Sequence, residues 1–224
     1  MTESRRRRRQ SVRRPRRHFD FIEIGTSDFN TLLQKAGPKT VGLSVEPLTD
    51  YLERLPERPH VTKVNAAVSD RSGSMEIYYV PDAVRREYGL PGWMKGTNKI
   101  GAPHPTVERY LAKHGLPASL MHRRRVPVLS VEGLFRRYRV GSVDYLKIDT
   151  EGHDTVILGA YLDLVTRRPE LRAGRILFES NALTAREAVA ALTERLRAVG
   201  YRVETRRQDT LAVLEVEGGG ASSV

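Results

Sequence analysis

Short runs of apolar residues alternate along this chain with stretches in which apolar positions recur every three or four residues. The first pattern fits a buried strand and the second an amphipathic helix. Residues 19–25, FDFIEIG, read as a strand closed by glycine, and 30–37, NTLLQKAG, as a short helix ended by another. Residues 41–47 (VGLSVEP) give a second strand, 48–57 (LTDYLERLPE) a helix and 61–69 (VTKVNAAVS) a third strand. Strand, helix, strand, helix, strand at this spacing predicts a parallel sheet with right-handed crossovers.

The glycine and the alternation in 71–81 (RSGSMEIYYVP) predict a hairpin extension. From 82 to 125 the pattern loosens into a segment rich in proline and glycine, read as an insertion over one end of the sheet with a helix near 106–115. Order returns with a strand at 126–130, a helix at 131–140, a strand at 143–149 and a helix at 155–167. A strand at 175–181, a helix at 184–200 and strands at 201–207 and 210–216 complete the series. Thr184 and Glu187 have the spacing of a capping box, and Gly200 ends that helix. The last two strands are joined by about two residues and must be antiparallel. The expected architecture is one α/β domain over 19–217, doubly wound, with a mostly parallel sheet, an antiparallel final strand and a flexible 218–224 tail.

Composition narrows the classes. At 224 residues, 39% of them hydrophobic, the chain is long enough for one α/β domain with a sizeable core. No apolar run approaches the roughly 20 residues that cross a bilayer, and the N-terminal arginines precede no secretory apolar segment. A cytoplasmic protein is expected. With no cysteine, zinc–thiolate sites and thiol nucleophiles are excluded, and a metal must use oxygen or imidazole ligands.

The formal net charge of +11 suggests nucleic acid until it is located. Residues 1–18 hold nine arginines and one glutamate, which leaves only +3 for the other 206 residues. That tail is expected to be disordered, and either binds nucleic acid or acidic surfaces without specificity or is simply solvated. HRRRV at 122–126 reads as a solvated loop.

Ligands in open α/β sheets bind beyond the carboxyl ends of the strands. The candidates there are Glu23, Gly25, Thr26, Ser27 and Asp28 at the first strand, Glu46 and Pro47 at the second, and Asn65, Ala66 and Ala67 at the third. The fourth ends in Asp149, Thr150 and Glu151, and the fifth in Glu179, Ser180 and Asn181. Glu46 follows Gly25 by 21 residues, the arrangement in which an acid accepts ribose hydroxyls. Taken alone it fits a helix N-terminus as well. A dinucleotide site wants G-x-G-x-x-G, whereas GTSDF offers one glycine, and Asp28 puts a negative charge where a phosphate would lie. That weighs against an NAD-linked oxidoreductase or epimerase. A nucleoside cofactor with a cationic group and no phosphate, such as S-adenosylmethionine, fits better.

The segments IEIG (22–25), SVEP (44–47), NAAVSDRSGSMEIYY (65–79) and DYLKIDTEGHDTVILGA (144–160) resemble the FkbM-type S-adenosylmethionine-dependent methyltransferases. The resemblance spans roughly 19–215, and LKIDTEGHD (146–154) is its most specific part. It implies a Rossmann-like class I methyltransferase fold and, for activity, O-methylation of a small molecule or sugar. Phe29 stands where relatives usually carry a second glycine, which bears on the methionine pocket.

On that resemblance Asp149 faces the cofactor's sulfonium and ammonium side or the acceptor hydroxyl. Glu151 accepts a hydrogen bond or ligates a hard divalent cation together with Asp149 and Glu179. His153, whose ordinary pKa lies near neutrality, is the general-base candidate, with a solvated or supporting role as the alternative. Asp154 fits a helix cap equally well. Acceptor contacts are expected from Tyr88, Trp93, Asn98 and His104 of the insertion and from Glu179; for Trp93, packing over the sheet edge is the alternative. A nucleic-acid methyltransferase that uses the arginine tail is the remaining reading.

Overall fold

The computed structural model describes residues 15–181 and 183–215. The elements run β1 (Arg17–Ile24), α1 (Leu32–Lys35), β2 (Gly42–Val45), α2 (Thr49–Arg54), β3 (Val61–Val64), β4 (Ala67–Ser69) and β5 (Gly73–Tyr79). Then come α3 (Asp82–Glu87), β6 (Lys99–Ile100), α4 (Pro105–Lys113), β7 (His122–Ser130), α5 (Val131–Arg137), β8 (Val140–Ile148) and α6 (Asp154–Arg167). The series closes with β9 (Arg175–Glu179), α7 (Arg186–Ala198), β10 (Tyr201–Arg206) and β11 (Asp209–Leu214).

Among the described residues, seven strands form the main sheet in the order β3-β2-β1-β8-β9-β11-β10. All neighbours up to β9 pair in parallel, while β11 runs antiparallel to both β9 and β10. The central strands β1 and β2 are buried on both faces at their carboxyl ends, as a sheet covered on both sides requires. Phe21 joins Leu33, Leu52, Leu55 and Val61 in one buried cluster beneath α1 and α2. Ile22, Ile24, Leu146 and Ile148 join Leu134, Phe135, Leu158, Leu162 and Leu196 of α5, α6 and α7 in another.

Several expectations give way here. The strand expected over 61–69 breaks at Asn65: β3 stays in the main sheet, and β4 enters a second sheet of order β4-β7-β5-β6. β5 forms no hairpin with β4, because β7 lies between them, parallel to β4 and antiparallel to β5. HRRRV is no loop but the first half of β7, with Arg123, Arg124 and Arg125 paired in register with Tyr78, Ile77 and Glu76. Alternation hid it, since three arginines outweigh two buried valines in any apolar count. β1 starts at Arg17, inside the segment read as tail; residues 1–14 and 216–224 lie outside the described residues.

The expected capping box fails too. The cap of α7 is Ala185 with no side-chain bond, and the buried Thr184 hydroxyl has no hydrogen-bond partner among the described residues. The working box is at Thr31 and Gln34 of α1, where each side chain bonds the other's backbone amide. Gly200 does follow the end of α7 with φ of +92°, the left-handed turn that glycine permits. The insertion carries its own core of Val80, Leu90, Met94, Val107, Leu111 and Leu120. The second sheet packs Ile77, Tyr79, Val126 and Val128 on Leu48 and Tyr51. Among the described residues no helix is long and apolar enough to cross a membrane.

Candidate active site

From β1 the chain fills one side of the main sheet, through β2 to β3, and from β8 it fills the other. The order therefore reverses between β1 and β8, and a crevice opens beyond their carboxyl ends. Gly25 closes the gap between them: it has φ of +82°, and a Cβ there would lie 1.7 Å from the Asp149 carbonyl oxygen. Only glycine lets these two turns pass so closely. The Asp149 amide donates to the Ile24 carbonyl at 2.9 Å and continues the ladder to the edge.

A cavity of about 180 Å³ occupies this crevice. Gly25, Thr26, Ser27, Glu46, Pro47, Ala66, Ala67, Asp149, Thr150 and Glu151 all line it, with Ile77, Gly96, Asn98 and Ile100 of the second sheet and insertion forming the opposite wall. Glu46 is 3% exposed. Its two carboxylate oxygens accept the amides of Ser27 at 2.8 Å and Leu48 at 2.9 Å. Burial outweighs those bonds and pushes its pKa up to about 7. Two buried polar atoms on residues of the wall, the Ser27 hydroxyl and the Asn98 side-chain oxygen, have no partner among the described residues.

At the other end of the cavity Asp149 and Glu151 are on the wall, with Glu179 beside them but off it. Oxygens of Asp149, Glu151 and Glu179 lie within 4.8 Å of one another. Burial, with Glu151, Asp149, Asp154 and Asp209 nearby, pushes Glu179 up to about 8. One Glu179 carboxylate oxygen is buried without a hydrogen-bond partner among the described residues. The cation here is Lys147, whose Nζ lies 3.1 Å from Glu23 and 3.3 Å from Asp149. Burial works to lower the Lys147 pKa, and the two carboxylates more than reverse it. Glu151 sits in a left-handed turn (φ +53°) held by the insertion: Lys99 Nζ donates to its carbonyl at 3.1 Å and His104 Nε2 lies 3.3 Å from its carboxylate. The Thr106 amide donates to His104 Nδ1, so the proton of a neutral His104 ring sits on Nε2, facing Glu151.

Other expected residues fall behind the wall. Glu23 is fully buried, and its oxygens take the Leu32 amide and Lys147 rather than facing the cavity. The Asp28 carboxylate turns to Lys95 at 2.7 Å and Arg54 at 3.1 Å, so its charge does not confront a ligand. Asn65 clamps the turn after β2 by donating to the Glu46 and Pro47 carbonyls. The His153 ring lies against the Ser69 hydroxyl at 3.0 Å, off the wall; burial lowers its pKa and Lys99 adds to the effect. Asp154 is fully buried and receives the Thr150 hydroxyl and the amides of Thr150 and Glu179, which joins the ends of β8 and β9; burial raises it to about 6.

Of the acceptor candidates, Asn98 lines the cavity, while Tyr88, Trp93, His104 and Glu179 do not. Trp93 packs edge-on against Tyr110 with ring centroids 5.9 Å apart, and His104 caps α4. Lys147 is on the wall with no role expected of it from the sequence, and Phe29, expected to bear on the methionine pocket, is on it too. A lone lysine inside the apolar run VDYLKID, two residues before Asp149, was the available signal for the first.

A family model described as the methyltransferase FkbM domain matches residues 18–203, which takes in both ends of the cavity. No curated protein matches the chain.

Proposed function

Because the chain belongs to the FkbM methyltransferase family, we propose that it moves the methyl group of S-adenosylmethionine to a hydroxyl oxygen of a small molecule or sugar, on a Rossmann-like class I sheet in the cytoplasm. The observation that carries this reading is the pairing, in one crevice, of a buried Glu46 at the end of β2 with Asp149 at the end of β8. A nucleoside's hydroxyls match Glu46, whose oxygens keep lone pairs beyond the two amides they accept. The orphaned Ser27 hydroxyl and Asn98 oxygen supply further polar contacts.

The same turn disfavours a dinucleotide, for a reason other than the charge of Asp28. A pyrophosphate would need free amides at the start of α1. There the Leu32 amide is taken by Glu23 and the Gln34 amide by Thr31.

S-adenosylmethionine, when bound, supplies an electrophilic methyl on a good leaving group. The protein's part is then to align the acceptor, exclude water and receive a proton. Asp149 and Glu151 are on the wall and are the residues we put in contact with the acceptor; the His153 ring, bonded to Ser69, stands off it. A divalent cation fits the Asp149, Glu151 and Glu179 oxygens. Ligands on one ion at about 2.4 Å are at most about 4.8 Å apart, and a hard ion prefers carboxylate oxygen. It would lower the pKa of an acceptor hydroxyl.

Equilibrium dialysis against S-adenosylmethionine, S-adenosylhomocysteine and NAD tests the reading. The first two are expected to be retained at micromolar concentration and NAD not. Retention of NAD alone, or of none by the folded protein, contradicts it.

A further inference from the structure

Phe29 is 47% exposed, the most exposed of the large hydrophobic side chains among the described residues, yet it lines the cavity. Single exposed apolar residues are common on protein surfaces. This one is held in place from both sides. Asp28 before it is tied to Arg54 and Lys95, and Asn30 after it accepts from Lys35 Nζ at 2.8 Å. Ser27 and Asn30 both have φ of +53°, a conformation that costs a residue with a side chain free energy. The loop therefore spends strain and three charged contacts to fix where the ring stands.

Across the mouth the ring meets Gly96 of the insertion. A Cβ on Gly96 would lie 3.1 Å from the Phe29 Cζ, closer than side chains normally approach. Lys95 Nζ, from the residue before Gly96, lies 5.5 Å from the ring centroid. One edge of the phenyl is thus packed and the rest faces the opening, with apolar wall from Ile24, Val45, Ala67 and Ile100 deeper in.

We propose that Phe29 is a binding residue for the methyl donor: its exposed face packs against bound S-adenosylmethionine, and Gly96 is kept bare to let the ring stand there. This rests on the reading of the cavity as the donor site. A ring face buried only on binding contributes apolar contact area that alanine would forfeit, enough for about a ten-fold change in affinity. The contact is with the body of the ligand, so the demethylated product gains from it equally.

Isothermal titration of S-adenosylmethionine and S-adenosylhomocysteine into the full chain tests this with Phe29→Ala, Phe29→Leu, Gly96→Val and the double variant Phe29→Ala/Gly96→Val. Phe29→Ala is expected to weaken both ligands about ten-fold and Phe29→Leu less than three-fold. Gly96→Val should weaken binding in the parent chain by displacing the ring, and cost nothing further in the Phe29→Ala background. Unchanged affinity in Phe29→Ala overturns the proposal, as does an equal penalty for Gly96→Val in both backgrounds. Unaltered thermal midpoints separate these outcomes from misfolding. A parent chain that binds neither ligand overturns the donor-site reading and this proposal with it, whereas a parent chain that binds and a Phe29→Ala variant that binds equally well overturns this proposal alone.

Discussion

The two ends of the cavity treat their carboxylates in opposite ways. At the end of β2, Glu46 is enclosed by donors: two amides meet its two oxygens. At the ends of β8 and β9, Asp149, Glu151 and Glu179 face one another, with Lys147 between the first of them and the buried Glu23. The first end is prepared for neutral partners such as hydroxyls, because its acid already has hydrogen bonds that hold it in place. The second is short of positive charge, so it needs a proton or a cation to be at rest. Burial raises acids at both ends, but at Glu179 four neighbouring acids add to it, against one, Asp28, at Glu46.

The largest effect at the acidic end is expected from removing Lys147, the lysine that contacts two of the carboxylates. Lys147→Met strands Glu23, fully buried, beside Asp149. Removing one partner of a buried pair costs about 3 kcal/mol or more, and urea unfolding should show it. Glu23→Gln in the same chain should restore much of the loss, since it removes the stranded charge. A Lys147→Met variant as stable as the parent would mean that the lysine does not hold the acidic end together.

A subtler effect lies in pH. Glu46 at about 7, Glu179 at about 8 and Asp154 at about 6 all hold their protons more tightly folded than unfolded. Groups raised in this way contribute stability that is full below the unfolded carboxylate range and is lost as pH rises through the folded values. The thermal midpoint of the ligand-free protein should therefore fall between about pH 5 and about pH 9. Millimolar magnesium or calcium should flatten the upper part of that fall by stabilising ionised Glu179, and leave the part due to Glu46. A fall that neither ion alters would remove the cation from the acidic end.

The difference between the two ends also explains what could be read in the residues. The sheet was legible because its strands are apolar runs closed by glycine or an acid, and because 21 residues separate Gly25 from Glu46. The acids at 149, 151 and 179 were legible as strand ends, and strand ends in a parallel sheet share an edge. Which way a side chain turns from such a turn was not. Glu23 and Asp28 sit beside the cavity in sequence and behind it in space, because Lys147, Arg54 and Lys95 claim them from elements 26 to 124 residues away. His153 likewise answers to Ser69, 84 residues distant. The second sheet was hidden because its central strand β7 exposes arginines on one face and buries valines on the other, and its partner β4 looked like the end of β3.

We propose that Glu46 receives the hydroxyls of a nucleoside methyl donor, and the deciding experiment is calorimetric titration of S-adenosylmethionine across pH 6 to 8 into the parent chain and Glu46→Gln. The parent's affinity should rise with pH through about 7, because hydroxyl donors favour the ionised acid, and binding near neutrality should release a proton. Glu46→Gln should bind about ten-fold more weakly at pH 8 and show neither the rise nor the proton release. Equal affinity and an unchanged pH profile in the two proteins would contradict the account.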